Sequence, residues 1–96
     1  MMNPVVWFEV RGQDADKLRS FYGELLGWSF LGIGRATGGG RGWVTFYTQV
    51  PDLAGAVAKA ERMGSRVLVP ITHLPDATIA VVSDPEGNPV GLCTAA

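Results

Sequence analysis

The sequence predicts an α+β domain made of two successive β-α-β units, the first of them shortened. Three observations carry that expectation. Near the N-terminus a strand pattern gives way at once to a helix pattern, and the same order recurs from Trp43 onward. The two helix N-caps, Asp14 and Asp52, stand 38 positions apart, and so do Trp7 and Thr45 in the strands before them.

The first strand is Val5-Val6-Trp7-Phe8-Glu9-Val10, rich in β-branched and aromatic residues. Its period of two puts Trp7 and Glu9 on one face and Val6, Phe8 and Val10 on the other, and the all-apolar face is expected to meet a helix. That helix runs from the Asp14 cap to a stop at Gly27, with Asp16 in its first turn. Leu18, Phe21, Tyr22, Leu25 and Leu26 form a single apolar stripe along it. Trp28 to Ile33 reads as a short second strand, and residues 34–42 as a flexible glycine-rich turn. The turn lacks the Gly-Lys-Ser/Thr of a phosphate loop, and Thr37 breaks the dinucleotide fingerprint begun by Gly32 and Gly34.

The second unit is the fuller one, a β-α-β-β-β run. Trp43 to Val50 alternates, with Trp43, Thr45, Tyr47 and Gln49 on one face. Asp52 caps a helix whose inward positions are Leu53, Ala56, Val57, Ala60 and Met63, ended by Gly64. Strands are expected at Arg66 to Val69, Thr78 to Ser83 and Val90 to Thr94, the last two joined by a type I turn at Asp84-Pro85-Glu86-Gly87. The whole is one domain, 1–96, with a shortened module at 1–37 and a second at 38–96.

Bulk properties narrow the function. A net charge of −1 with scattered basic residues does not suit a protein that tracks nucleic-acid phosphates. The lone Cys93 allows no intramolecular disulfide and no cysteine-rich zinc site, which fits a reducing cytoplasm. No apolar run approaches the ~20 residues of a membrane span, and Met1-Met2-Asn3-Pro4 lacks the features of a signal peptide. The expected setting is cytoplasmic, with neither nucleic acid nor membrane as partner.

The stretch VWFEVRGQDADKLRSFYGELLGW, from Val6 to Trp28, resembles the opening of glyoxalase/bleomycin-resistance proteins, the vicinal oxygen chelate superfamily. So does the closing part: Val50-Pro51-Asp52 with its helix, Val67-Leu68-Val69-Pro70, and Asp84-Pro-Glu-Gly-Asn-Pro-Val-Gly-Leu92. The resemblance implies paired βαβββ modules, the first truncated here, forming an open, curved mixed sheet with two helices on its convex face. It also implies a concave cavity, often completed across a dimer. Catalytic members hold a divalent metal with His, Glu or Gln side chains. The family's ligand positions correspond to Trp7, Thr45 and Gly91, and a fourth falls on a strand this chain has lost. An indole, one hydroxyl and a hydrogen do not assemble a metal site, so this departure from the family pattern leads to an expectation of no metal and no other cofactor. A shortened first module leaves strand edges that a homodimer, pairing strands across a two-fold, would cover.

Seven residues share the phase of those ligand positions and are the candidate cavity lining: Trp7, Glu9, Trp43, Thr45, Tyr47, Gln49 and Cys93. They either line a ligand pocket or fill a collapsed cavity or dimer interface. Glu9 favours a pocket, because a carboxylate is costly in a packed core without a partner. Cys93 reads as a small packing residue rather than a nucleophile. His73 reads as an exposed loop residue, since no orienting group is visible for a general base. Arg35 and Arg41 read as solvated loop arginines. No catalytic residue is assigned, and three functions remain open. The first is a non-metal protein that binds a small, partly aromatic molecule. The second is an enzyme: a metal-free lyase or isomerase with Glu9 as base, or a lactoylglutathione-lyase-like enzyme with improvised metal ligands. The third is a dimeric interaction module with a filled cavity.

Overall fold

The computed structural model describes residues 3–29, 34, 35 and 42–95. Its elements are β1 (Val5–Gly12), α1 (Ala15–Leu26), β2 (Gly34–Arg35), β3 (Trp43–Gln49), α2 (Leu53–Arg62), β4 (Val67–His73), β5 (Ala77–Ser83) and β6 (Pro89–Ala95). The strands form an open mixed sheet in the order β2-β1-β3-β6-β5-β4. β1 runs parallel to β2, and β3 runs parallel to β6, so the opening strand of each half has the same kind of neighbour. The β4–β5 and β5–β6 pairs are antiparallel. With two helices, this is the α+β class that the sequence predicts.

Contacts divide the chain into two compact units: Met1–Phe8 with Thr45–Ala96, and Glu9–Val44. In the first unit α2 packs against β4, β5 and β6. Asp52 starts this helix by accepting a hydrogen bond from the Gly55 N–H at 3.0 Å. An added Cβ at Gly55 would meet the carboxylate end of that side chain. Leu53 and Val57, one turn apart, bury their side chains with Val50 and Ala80, and Ala56 and Leu92 pack around them. Each buried Leu or Val there contributes about 1.5–3 kcal/mol. Met63, expected on the inward face, is 77% exposed. It is the C-cap residue, its N–H shared among the carbonyls of Lys59, Ala60 and Glu61, and Gly64 then turns the chain at φ +93°.

The β5–β6 turn is held by Asp84. One carboxylate oxygen accepts from the N–H groups of Glu86 and Asn88, and the other from the Asn88 amide. The Asn88 side-chain bond is the chief reason this carboxyl titrates below its ordinary range. Gly87 closes the turn with an N–H bond to the Asp84 carbonyl and a positive φ of 87°.

In the second unit α1 is capped as its sequence dictates. The Asp14 carboxylate accepts from Lys17 N–H, and Gly27 adopts the left-handed conformation at φ 71°. Yet no residue of α1 is buried, and Phe21, Leu25 and Leu26 of its apolar stripe lie exposed. On the apolar face of β1 only Val10 is buried, while Val6 and Phe8 are exposed. Of this face, then, Val10 alone is buried.

The main departures from the expected elements lie in three places. Trp28 and Ser29 are not strand: the Trp28 indole stacks on Tyr22, centroids 5.9 Å apart and planes 7° from parallel, which turns the chain back along its own helix. The remainder of that expected strand, 30–33, lies outside the described residues. Gly34 and Arg35, expected in the glycine turn, instead pair with Arg11 and Gly12 respectively as β2. Of the rest of that turn only Gly42 is described. A Cβ there would collide with the Arg11 carbonyl, so close backbone approach, not flexibility, sets this glycine. Finally, β4 runs on through Pro70 to His73. Pro70 is tolerated because β4 is an edge strand, and the strand has register shifts on either side of Val69. His73 thus ends a strand rather than sitting in a loop, and its Nδ1 lies 3.0 Å from the Thr78 hydroxyl.

Candidate functional site

Within the first unit, β3 and β6 lie in a register that opposes Tyr47 to Gly91 and Gln49 to Cys93. Opposed residues share a face, so Thr45, Tyr47, Gln49, Gly91 and Cys93 form one surface, with Val81 beside Gly91 on β5. Most of that surface is filled. Tyr47 is 1% exposed, and Val81, Thr45 and Cys93 are also buried. The Tyr47 ring lies directly over Gly91. A Cβ at position 91 would come within 2.5 Å of the ring and 2.6 Å of the Phe46 carbonyl oxygen. Gly91 and Tyr47 therefore form a matched pair: the missing side chain makes the space that the ring takes.

The Thr45 hydroxyl donates to the Pro89 carbonyl at 2.6 Å, so it ties β3 to the start of β6. Burial pushes the Cys93 thiol up, which keeps it protonated and a poor nucleophile at neutral pH. Trp7 leans on Tyr47 with centroids 5.4 Å apart and an interplanar angle of 56°. Unlike Tyr47, Trp7 is 43% exposed. Gln49 is exposed, and its backbone N–H donates to the Pro4 carbonyl at 2.9 Å.

Glu9 and Trp43 meet in the second unit. The Trp43 indole N–H donates to Glu9 Oε1 at 3.0 Å, and Arg11 Nε lies 3.7 Å from the same oxygen. The Arg11 guanidinium also sits 4.8 Å from the Trp43 ring centroid, a cation–π contact. These contacts offset the desolvation of the half-buried carboxylate, whose cost the sequence raised as a question.

The structure thus joins Trp7 to Tyr47 and Glu9 to Trp43 by direct contact. Arg11 was missed, although it is in phase with Trp7 and Glu9 on β1; the signal was the strand alternation itself. The Pro89 carbonyl as partner of Thr45 had no sequence signal. His73 is bonded to Thr78 on the β4–β5 pair. For Arg35 the structure describes the backbone pairing of β2, and Arg41 lies outside the described residues.

The metal that the sequence resemblance would imply is not matched by the residues at Trp7, Thr45 and Gly91. Trp7 offers an indole N–H, Thr45 a hydroxyl already donated to Pro89, and Gly91 no side chain at all, with the Tyr47 ring above it. A divalent cation needs two or three converging lone pairs, and this set does not supply them. Among the described residues no three His, Cys, Asp or Glu side chains gather elsewhere either.

Fold and site together define an α+β domain with an open mixed sheet and an aromatic pair over the middle strands. A solved structure described as an NAD-dependent benzaldehyde dehydrogenase from Legionella pneumophila is similar to it, with a TM-score of 0.59. The likeness covers 93% of this chain and 99% of that one at 13% sequence identity, and at that identity it concerns the fold alone. No protein-family model matches the chain, and no curated protein matches its sequence. Among the described residues no helix is long and apolar enough to cross a membrane.

Proposed function

We propose that this chain is a reduced member of the glyoxalase/bleomycin-resistance superfamily that acts by binding rather than by metal chemistry. In this reading it is a cytoplasmic homodimer that holds a small, partly aromatic molecule against Trp7 and Gln49. The observation that supports the reading is the Tyr47–Gly91 pair, in which an aromatic ring covers the position where the resemblance would put a metal ligand. A half-exposed indole beside that ring offers a surface suited to stacking, with the Gln49 amide able to donate and accept at its edge. The lone, buried Cys93 suits a reducing compartment.

Thermal denaturation of the full chain with a panel of one- and two-ring aromatic acids and amines tests this. A true ligand at about a hundred times its Kd adds about 2.7 kcal/mol to stability, and Trp7→Ala should remove the shift. If no compound in the panel raises the midpoint, the binding reading is lost.

A second reading is favoured by one observation, the near-complete burial of Tyr47, Val81 and Cys93. A centre this full belongs equally to an interaction module whose partner is another chain. Intact dimers that ignore every member of the panel would select it.

A further inference from the structure

A cleft that no sequence motif announces lies where α2 ends against the β5–β6 turn. It holds about 220 Å³, and its walls include Ala60, Met63 and Pro85 with Ser65, Ser83 and Asp84. An apolar cavity of about 150 Å³ takes up benzene, so this volume suits one six-membered ring with a substituent or two. Met63 is 77% exposed, and its unbranched thioether can fold onto such a ring. Sulfur–aromatic contacts then favour a ring over an aliphatic body.

The two serines decide what the ring carries. Ser65 Oγ donates to the Ser83 carbonyl at 2.6 Å, and no donor among the described residues reaches that hydroxyl in return. Ser83 Oγ accepts from the Arg66 N–H at 2.9 Å, and its own hydrogen has no acceptor among the described residues. One hydroxyl is left with a site to accept and the other with a hydrogen to donate. A hydroxyl group does both and suits this pair, whereas an ammonium can only donate and a bare hydrocarbon does neither. Charge disfavours a carboxylate. Asp84 lines the cleft, and Ala60 and Met63 place it at the negative end of the α2 dipole. Lys59 and Arg62 lie in the last turn of α2 but are not among the cleft's walls.

We propose that this cleft binds a small one-ring phenol, its ring against Met63 and Pro85 and its hydroxyl at the Ser65–Ser83 pair. The site is a second one, distinct from the surface of Trp7 and Gln49, and it stands whether or not that surface binds anything.

NMR titration of the full chain with isotope-labelled methionine methyl groups tests it, the Met63 signal being the one lost in Met63→Leu. p-Cresol should shift that signal saturably, with a Kd on the order of 1 mM. Ser83→Ala removes the donor and should weaken p-cresol about fivefold while leaving toluene unchanged. Ala60→Phe should abolish the shift by filling the cleft, with circular dichroism confirming that both variants are folded. Benzoate should give no saturable shift, and benzylamine should bind more weakly than p-cresol. The proposal is overturned if p-cresol does not move the signal saturably, if its shift persists in Ala60→Phe, or if Ser83→Ala binds it as wild type does. Benzoate or benzylamine binding as tightly as p-cresol overturns it too. Trp7→Ala should leave this titration as in wild type while removing the thermal shift of the proposed function, so the two readings fail separately.

Discussion

At the scale of single residues the molecule is organised by what is missing. Gly91 carries no side chain, and the Tyr47 ring occupies the room that a side chain would need. Gly91→Ala should therefore destabilise the protein by about 1–3 kcal/mol, the usual cost of overpacking a core. The nearest obstacles are a ring that is 1% exposed and the Phe46 carbonyl oxygen, which is backbone and cannot swing aside. Chemical denaturation of the variant measures this, and a cost below about half a kilocalorie per mole would show that the ring moves freely. The sequence resemblance sets Gly91 against a family ligand position, and strand alternation puts Tyr47 on the same face. Neither could pair them, because the pairing depends on the β3–β6 register between residues 44 positions apart. Glu9 shows the same limit. Alternation placed it on the face of Trp7, but its hydrogen bond to Trp43 spans 34 positions and had no local signature.

At the scale of elements, what was legible is what local chemistry decides. Both N-caps formed as read, with Asp14 and Asp52 each accepting from the N–H three residues on. The Asp84 turn formed too, because its bonds lie within five consecutive residues. Burial was less legible, since periodicity says which face is apolar and not whether anything covers it. The stripes of α1 and α2 look alike in sequence, yet α2 buries Leu53 and Val57 while α1 buries no residue. Two truncations separate the cases. Leu53→Ala should cost about 2–5 kcal/mol, the range for a core leucine, whereas Leu25→Ala should stay within about half a kilocalorie per mole. Leu25 is 63% exposed and Leu53 only 6%. Equal losses at the two sites in urea titrations would mean that α1 is covered in solution.

For the whole molecule the same contrast bears on cooperativity. Contacts divide the chain inside β1 and inside β3. The unit of Met1–Phe8 and Thr45–Ala96 contains the core of Val50, Leu53, Val57 and Ala80, and the fully buried Val81. In the unit of Glu9–Val44 a capped helix displays its apolar stripe, held by local aromatic pairs such as Tyr22 on Trp28. Elements with few buried apolar contacts open at low free energy, and the buried core opens only when the molecule unfolds. Native-state hydrogen exchange in low urea should resolve two classes. Amides of residues 15–26 should exchange through a low-energy opening with a small urea dependence. Amides at Ala80, Val81 and Leu92 should exchange only through global unfolding, with the steep urea dependence that large exposed area brings. Convergence of both classes on one opening energy and one slope would show a single cooperative unit, and would mean that the α1 stripe is buried against something the isolated chain does not reveal.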